Sequence, residues 1–386
     1  MKKKTQQRIT VKLFAEFFKG EKASGIILIA CTAISLSLAN SVFSSRYLYF
    51  WHTNFAGKPI ECWINDGLMT IFFLLVGLEL KRDIYQGELS TIKKALLPIF
   101  GALGGMIVPA GIFLLLNFGT STQSGAGIPM ATDIAFALAI LSLLGKRVSI
   151  SLKVFLTALA VIDDLGAIIV IALFYTETLL WTNLLIALGI FVLLLIFNRL
   201  KVKSLIPYLA GGILMWYFML HSGVHATITG VLLAFTIPFG NGTEKSAAYV
   251  LQHFLHKPVA FWILPLFALA NTAIVVSSNI GEIVSQNYSL GIALGLIVGK
   301  PIGIFTLSLI AVKMGFCKLP TNLNWKSILG IGFLGGIGFT MSIFVTLLAF
   351  DDATIINNAK FMILISSITA GIIGFISLNL SLKMKP

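Results

Sequence analysis

Two adjacent aspartates, Asp163 and Asp164, lie in the middle of residues 154–176, a stretch that carries no other charged group. A stretch of this length can cross a bilayer as a helix. Each carboxylate at this depth opposes insertion by roughly 2.5–3.5 kcal/mol. The pair therefore indicates a site for a cation, for a proton, or for both in turn. The alternative is a structural ion pair with a basic residue on another helix.

Three more charged residues lie within apolar stretches. Lys300 is centred in the otherwise uncharged residues 290–312, Asp133 follows Thr132 in the fourth apolar stretch, and Asp66 lies near the outer end of the second. None would be stable alone in lipid, so we expect these charges to pair. Neighbouring residues on a helix point about 100° apart. One aspartate of the adjacent pair can therefore meet Lys300 while the other faces a water-filled cavity.

The composition predicts an all-α polytopic membrane protein. Hydrophobic residues make up 57% of the chain, charged residues 11%, and the mean hydropathy is +0.96, which lies outside the range of soluble domains. We predict one transmembrane domain over residues 1–386, in which residues 1–22 form a cytoplasmic amphipathic lead-in. About twelve spans are predicted near residues 24–39, 63–80, 95–117, 127–144, 154–176, 181–198, 205–220, 223–239, 259–277, 289–312, 327–350 and 359–382.

The distribution of positive charge supports this topology. Of the 28 lysines and arginines, 24 fall in segments predicted to be cytoplasmic, among them Lys81. The outer segments hold only Arg46, Lys58 and Lys360. This bias predicts an even number of spans with both termini in the cytoplasm. The net charge of +13 is then explained by topology and anionic lipid, and it does not indicate a nucleic-acid partner.

Two spans are interrupted by their composition. The fourth has Gly125, Gly127 and Pro129 ahead of Asp133, and the eleventh has five glycines within residues 328–344. Glycine in membrane helices also serves tight packing, which is the alternative for the eleventh span. The interrupted spans are the middle members of spans 3–5 and 10–12, a pattern typical of an inverted-repeat transporter with a site at the midplane. Asp133 could offset the positive ends of the half-helices, and Lys300 the negative ends.

Several segments resemble the NhaA-type bacterial Na⁺/H⁺ antiporter family. They are NDGLMTIFFLLVGLELKR (65–82), MATDIAFALAIL (130–141), ALAVIDDLGAIIVIALFYT (158–176), HSGVHATITGV (221–231), LPLFALANT (264–272), GKPIGI (299–304) and GGIGFTMSIF (335–344). The resemblance covers nearly the whole chain and implies twelve spans with crossed, unwound fourth and eleventh helices. It also implies that Asp163 and Asp164 form the ion and proton site with Thr132 close by. Asp133 and Lys300 would compensate helix dipoles, and Lys300 would pair with Asp163.

The resemblance extends to residues linked to a pH response and to Asp66, which matches an acid of the second-span motif. The pH-response positions are Glu79, Arg82, His225, Gln252, His253 and His256. Gln252 stands where the family pattern has glutamate, and a neutral amide cannot titrate. Other interpretations are interfacial histidines at 253 and 256, a packing role for His225, and an end-of-helix ion pair for Glu79 with its basic neighbours.

We therefore expect a secondary transporter and not an enzyme. It would exchange cytoplasmic Na⁺ or Li⁺ for external H⁺ by alternating access, without a cofactor, in the bacterial inner membrane. Na⁺ prefers oxygen ligands, and close carboxylates in a poorly hydrated cavity can also hold protons. The resemblance further implies a homodimer formed through a hairpin in the outer loop, residues 42–61.

Three other classes of protein use some of these features. A membrane-embedded aspartyl hydrolase also needs two deep aspartates, but normally on two facing helices. A Mg²⁺-dependent prenyl or phosphoryl transferase would need more acids beside the pair, where Leu165, Gly166 and Ala167 follow instead. A cation channel would not explain a buried lysine at the site.

Overall fold

The computed structural model is almost entirely helical and describes residues 22–175, 179–240, 246–276, 279–320 and 322–383. The predicted lead-in therefore lies outside the described residues, apart from Lys22. The helices are α1 (Lys22–Ala39), α2 (Ser44–His52), α3 (Ile60–Tyr85), α4 (Ile92–Asn117), a 3₁₀ helix (Gln123–Met130), α5 (Ile134–Leu143), α6 (Ile150–Phe174), α7 (Trp181–Arg199), α8 (Ile206–Leu220), α9 (Ile228–Thr236), α10 (Ala247–Asn271), α11 (Ile280–Ser285), α12 (Asn287–Lys313), α13 (Trp325–Gly335), α14 (Phe339–Ala349) and α15 (Ala353–Lys383), with short 3₁₀ turns at Glu88–Ser90 and Gly145–Arg147.

The all-α polytopic prediction is confirmed, whereas the number of spans stays a prediction. Nine helices in the described part of the chain are long and apolar enough to cross a membrane, and α13 with α14 makes a tenth when the bent pair is counted as one span. The predicted seventh span corresponds to α8, which has 15 residues. The predicted eighth contains α9, which has only nine. Both are shorter than the roughly 20 residues that a straight spanning helix needs.

The fourth span is interrupted at Ala131, Thr132 and Asp133. The chain forms a 3₁₀ helix to Met130, passes through extended backbone, and resumes as α5 at Ile134. Pro129 contributes no N–H to a continuing α-helix. The break is therefore three residues long and follows the glycine and proline positions directly.

The eleventh span is interrupted after Gly335, and its two parts, α13 and α14, meet at an angle of 47°. Gly336 is required at this bend, because a Cβ atom there would lie 2.2 Å from the carbonyl oxygen of Leu296. The breaks of the two spans touch, since the Asp133 N–H donates to the carbonyl oxygen of Ile337 at 2.6 Å. The unwound segments are thus held against each other by main-chain hydrogen bonding.

Helices α4 and α12 pack with their backbones in contact beside this crossing. A Cβ atom on Gly104 or on Gly303 would lie 2.0 Å from the carbonyl oxygen of the other residue. Such close approach is typical of glycine in membrane helices. It holds the segment that carries Lys300 next to the break of the fourth span.

The outer loop contains a two-stranded antiparallel hairpin, β1 (Asn54–Phe55) and β2 (Lys58–Pro59). Its turn uses positive φ angles at Ala56 (49°) and Gly57 (87°), as two-residue hairpin turns require. The hairpin is present in the single chain. Pairing with a second copy stays a prediction.

Two lysines that the charge count assigned to loops are buried within helices. Lys81 donates to the carbonyl oxygens of Phe235 and Ile237 at 2.8 and 2.6 Å, at the carboxyl end of α9. Lys360 is buried in α15 and interacts electrostatically with Glu61. A lysine among terminal carbonyls complements the negative end of a helix, so Lys81 fixes α9 against α3.

Candidate functional site

The crossing of the two interrupted spans brings five of the predicted site residues into one buried cluster. Asp163 and Asp164 come from α6, Lys300 from α12, and Thr132 and Asp133 from the break of the fourth span. Each of these side chains is at most 2% exposed. Four charged groups are therefore concentrated at one place inside the protein.

Lys300 uses all three of its N–H donors within this cluster. Its Nζ atom lies 2.6 Å from Asp163 Oδ2, 2.7 Å from Thr132 Oγ1 and 2.5 Å from the carbonyl oxygen of Met130. The Met130 carbonyl is the last of the 3₁₀ helix, where the helix dipole is negative. The ammonium thus balances both a carboxylate and a helix end.

Thr132 joins both interrupted spans. Its hydroxyl has two acceptors within reach, Asp163 Oδ2 at 2.7 Å and the carbonyl oxygen of Gly335 at 2.9 Å. A hydroxyl donates only one hydrogen bond, so these two acceptors are alternatives. The Gly335 carbonyl ends α13, and the hydroxyl can therefore turn between a helix end and the aspartate.

Asp133 caps two helix amino termini at once. Its Oδ1 accepts from the N–H of Phe136 in α5 at 3.0 Å, and its Oδ2 accepts from the N–H of Thr340 in α14 at 3.1 Å. The Thr340 hydroxyl donates to the same Oδ2. A carboxylate at two helix amino termini is stabilised by both dipoles.

Three hydroxyl residues around the breaks were missed from the sequence. Thr340 binds Asp133, Ser342 donates to the carbonyl oxygen of Ile128 at 2.7 Å, and Ser367 accepts from the N–H of Phe339 at 3.1 Å. A signal for two of them exists in GGIGFTMSIF, where hydroxyl residues directly follow the glycine break as Thr132 does in the fourth span. For Ser367, on α15, the sequence offers no such signal.

The two adjacent aspartates differ in their surroundings. The Oδ1 atoms of both Asp163 and Asp164 are buried without a hydrogen-bond partner. Asp163 is held by Lys300 through its other oxygen, whereas Asp164 lines a cavity. Burying a carboxylate oxygen without a hydrogen-bond partner costs free energy. These two atoms are therefore free to bind a cation or a proton.

The cavity beside Asp164 has a volume of about 90 Å³, enough for several water molecules. It extends from Asp164 and Thr340 to Glu79, Arg82 and His256. The side chains of Arg82 and His256 are 43% and 31% exposed. The cavity therefore leads from the buried aspartate towards the end of the protein that the charge count predicts to be cytoplasmic.

Four of the predicted pH-response residues meet at this end. His256 Nδ1 lies 4.0 Å from Glu79 Oε1, and Gln252 forms a side-chain hydrogen bond with Glu79. Arg82 lies 3.6 Å from Asp83 and also acts electrostatically on Glu79. Glu79 is thus surrounded by two basic groups and one neutral amide.

The remaining predicted residues lie elsewhere. His253 is exposed and stacks on Tyr249, with ring centroids 6.1 Å apart. The Nε2 atom of His225 lies 2.7 Å from the carbonyl oxygen of Tyr175, at the far end of α6. Asp66 lies 3.8 Å from Lys58. The structure thus does not bring these three residues to the cluster around Lys300.

The donor set fits a transported monovalent cation. Among the described residues no group of three or more His, Cys, Asp and Glu side chains is placed to hold a metal ion. The free carboxylate oxygens of Asp163 and Asp164, with the nearby Thr132 hydroxyl and unwound carbonyls, instead offer an all-oxygen set of low charge. Hard cations such as Na⁺ prefer ligands of this kind.

Comparisons with known proteins give one consistent family. The sequence model of the family described as Na⁺/H⁺ antiporter 1 matches residues 15–378. The Na⁺/H⁺ antiporter NhaA of Flavobacterium psychrophilum is 75% identical over 371 residues, which cover 96% of this chain and 97% of that protein. NhaA 1 of Flavobacterium johnsoniae is 64% identical over 368 residues (95% and 97%), and NhaA of Dechloromonas aromatica is 59% identical over 379 residues (97% of each).

Proposed function

The chain belongs to the Na⁺/H⁺ antiporter 1 family, and from this premise we propose that Asp163 and Asp164 form one site for which Na⁺ and protons compete. As a member of this family the protein is a secondary transporter that exchanges Na⁺ for H⁺, not an enzyme. The observation that carries the proposal is the pair of buried, unpartnered Oδ1 atoms beside a cavity.

Asp164 is the entry group of this site. It lines the cavity, so an ion or proton that arrives from the Arg82 end meets Asp164 before Asp163. A bound Na⁺ would take the Oδ1 atoms of both aspartates, with the Thr132 hydroxyl and an unwound carbonyl completing its shell. A proton on either carboxylate removes a ligand, so that the two cargoes exclude each other.

Asp163, Lys300 and Asp133 act through charge balance. Lys300 keeps the helix end at Met130 and the Asp163 carboxylate compensated when no Na⁺ is bound. Asp133 stays bound to its two helix amino termini and supplies negative charge close to the site. Binding of Na⁺ then changes the charge only at the aspartate pair. The crossing of the interrupted fourth and eleventh spans can therefore keep its shape throughout the transport cycle.

Exchange requires that the site opens to one side at a time. The cavity connects Asp164 with the predicted cytoplasmic end, and an opposite-facing form would connect it with the outside. An inward proton gradient would then drive Na⁺ out of the cell. Li⁺ as a second cargo, electrogenic exchange, higher activity at alkaline pH and independence of any cofactor belong to the same proposal.

The cellular setting is also part of this proposal. We place the multi-pass protein in the bacterial inner membrane, in contact with its lipid, with both termini cytoplasmic and a homodimer formed through the hairpin in the outer loop, residues 42–61. The charge count supports the orientation. The hairpin in the structure supports the dimer contact, because its first strand, Asn54–Phe55, is exposed and each strand of a two-stranded sheet is an edge that a second chain can pair with.

The alternative of a membrane-embedded aspartyl hydrolase lacks support in the geometry. Such an enzyme needs two carboxylates that face one substrate bond from two helices. Here both aspartates follow each other on α6, and one is engaged by Lys300.

The test is Na⁺-dependent proton movement in proteoliposomes that contain the purified Asp164→Asn variant. The substitution removes a cation ligand without leaving an unpaired charge, so the protein should fold and insert while exchange is lost. Asp351→Asn, which neutralises an exposed acid, is the matched control and should exchange like the wild type. Robust exchange by Asp164→Asn would contradict the proposal.

A further inference from the structure

Three phenylalanine rings from different helices meet in the interior next to the cavity. Phe73 belongs to α3, Phe267 to α10 and Phe344 to α14, and each is at most 1% exposed. The ring centroid of Phe344 lies 5.3 Å from that of Phe73 and 6.5 Å from that of Phe267. Phe344 therefore packs against both of the other rings.

The three rings of this aromatic cluster do not line the cavity themselves, but each lies next to or beyond a residue that does; on α3 the lining residue Phe72 adjoins Phe73. In α10, Leu264 lines the cavity and Phe267 follows three residues later, roughly 4.5 Å further along the helix. In α14, Thr340 lines the cavity and Phe344 follows roughly 6 Å further along. Both helices run from the cavity towards the predicted outer face.

Polar contacts lie further along both helices on that outer side. At the end of α10, the Asn271 amide donates to Asn65 Oδ1 at 2.7 Å. At the end of α14, the carbonyl oxygen of Ala349 accepts from the Ser124 hydroxyl at 2.8 Å. The aromatic cluster is thus an apolar layer between the ion-site cavity and polar groups nearer the outer face.

Phe344 is also tied mechanically to the ion site. Its helix begins one residue before Thr340, whose N–H and hydroxyl both bind Asp133. Phe73 and Phe267 belong to spans 2 and 9, which lie outside both predicted repeats, whereas Phe344 lies in span 11. A movement of the repeats relative to the rest would separate Phe344 from the other two rings.

We propose that Phe344 is the outer gate of this transporter, closing the route between Asp164 and the outside by packing against Phe73 and Phe267. The proposal rests on the proposed function. Three buried phenyl rings offer no hydrogen bond to a hydrated cation, and burying a charge without ligands is prohibitively costly. Na⁺ and protons can pass only when Phe344 withdraws, so the gate prevents a continuous pore.

The first test links the gate reversibly. In a variant without Cys31, Cys62 and Cys317, Phe73→Cys and Phe344→Cys are joined by a short bifunctional methanethiosulfonate in proteoliposomes. Exchange should fall to the level of protein-free vesicles and return on reduction with dithiothreitol. Undiminished exchange in the fully linked protein would overturn the proposal.

A matched control links a ring of span 3 to a ring in the loop that follows span 10. Phe100 belongs to α4 and Phe316 follows the end of α12, and the two rings stack with centroids 5.7 Å apart. Linking Phe100→Cys to Phe316→Cys should leave exchange unchanged. Equal inhibition by both links would show that cross-linking itself stops transport, and would overturn the specific role of Phe344.

A second measurement decides the matter if the cysteine pair is inactive before linking. Met341 lines the cavity, and Met341→Cys can be labelled from outside with an impermeant cationic methanethiosulfonate. Phe344→Ala should speed this labelling, whereas Phe113→Ala, a buried control inside α4, should not. Equal labelling rates in all three proteins would refute the gate. If the gate proposal fails in these tests but exchange is still lost in Asp164→Asn, the proposed function stands without the gate.

Discussion

Replacing Lys300 with alanine is expected to lower both transport and stability, and the size of the effect follows from the contacts of the ammonium. At an effective dielectric constant of about 20, unit charges 2.6 Å apart attract by roughly 6 kcal/mol. Desolvation offsets much of this attraction in the intact pair. Removal of one partner strands the other, which typically costs about 3–5 kcal/mol, and the carbonyl oxygen of Met130 would also lose its N–H donor.

The effect should be smaller when Asp163 is neutralised as well. In Asp163→Asn/Lys300→Gln, two amides replace the ion pair and neither leaves a buried charge. We expect the double variant to regain part of the stability that Lys300→Ala loses. The assay is the thermal midpoint of the purified proteins in one detergent, analysed with the single variants Asp163→Asn and Lys300→Gln as a double-mutant cycle.

The cycle can refute the reasoning. A double variant no more stable than the worse single variant would show that the two side chains are not energetic partners. A Lys300→Ala protein with wild-type stability would show that the carboxylate is not stranded by the loss of the lysine. Lys81→Ala is a useful comparison, because Lys81 is buried among carbonyl oxygens and its loss leaves no carboxylate behind.

Two further predictions concern the outer face. Deletion of the hairpin, residues 54–59 within the outer loop 42–61, should give monomers in size-exclusion chromatography with light scattering that still exchange Na⁺, because the ion site lies within one chain; unchanged dimers would reject the contact. Hydrogen bonds from the N–H groups of Ile355 and Thr354 lower the pKa of Asp352. Its stabilising contribution is therefore present above the ordinary aspartate pKa and is lost as pH falls through the lowered value. Asp352→Asn should remove this acid dependence from the thermal midpoint. Identical pH profiles of the thermal midpoint in the variant and the wild type would exclude a stabilising role of the Asp352 carboxylate.

The charged residues of the buried cluster could be predicted because charges are rare in membrane-spanning stretches. The placement of Lys300 at the same depth as Asp163 followed from the positions of uncharged runs. The 2.6 Å contact between them required the tertiary structure, because it joins α6 to α12, which are far apart in the sequence. The break of the fourth span likewise depends on contacts that the sequence does not show. Its unwound residues are stabilised by Ile337, which is distant in sequence.

Charge counting predicted the topology but not the burial of individual lysines. The sequence predicts that Lys81 lies in a cytoplasmic segment, because it precedes Arg82 at the end of a span. Its acceptors lie more than 150 residues away, at the end of α9. They are backbone carbonyl groups, which every residue has, so the sequence does not indicate which of them bind Lys81. The same holds for His225, whose Nε2 atom lies close to the backbone carbonyl of Tyr175. Partners that are backbone atoms become visible only in the fold.

The central claim is that Na⁺ and protons compete for Asp163 and Asp164. The most direct measurement is the half-maximal pH of exchange at several Na⁺ concentrations, in the wild type and in Gln252→Glu. Competition predicts that this pH falls as Na⁺ rises, by about one unit per tenfold increase if one proton is displaced per Na⁺ and about half a unit if two are. The fall should be the same in both proteins. A half-maximal pH that is independent of Na⁺ but moved by Gln252→Glu would contradict the account and identify a separate sensor around Glu79.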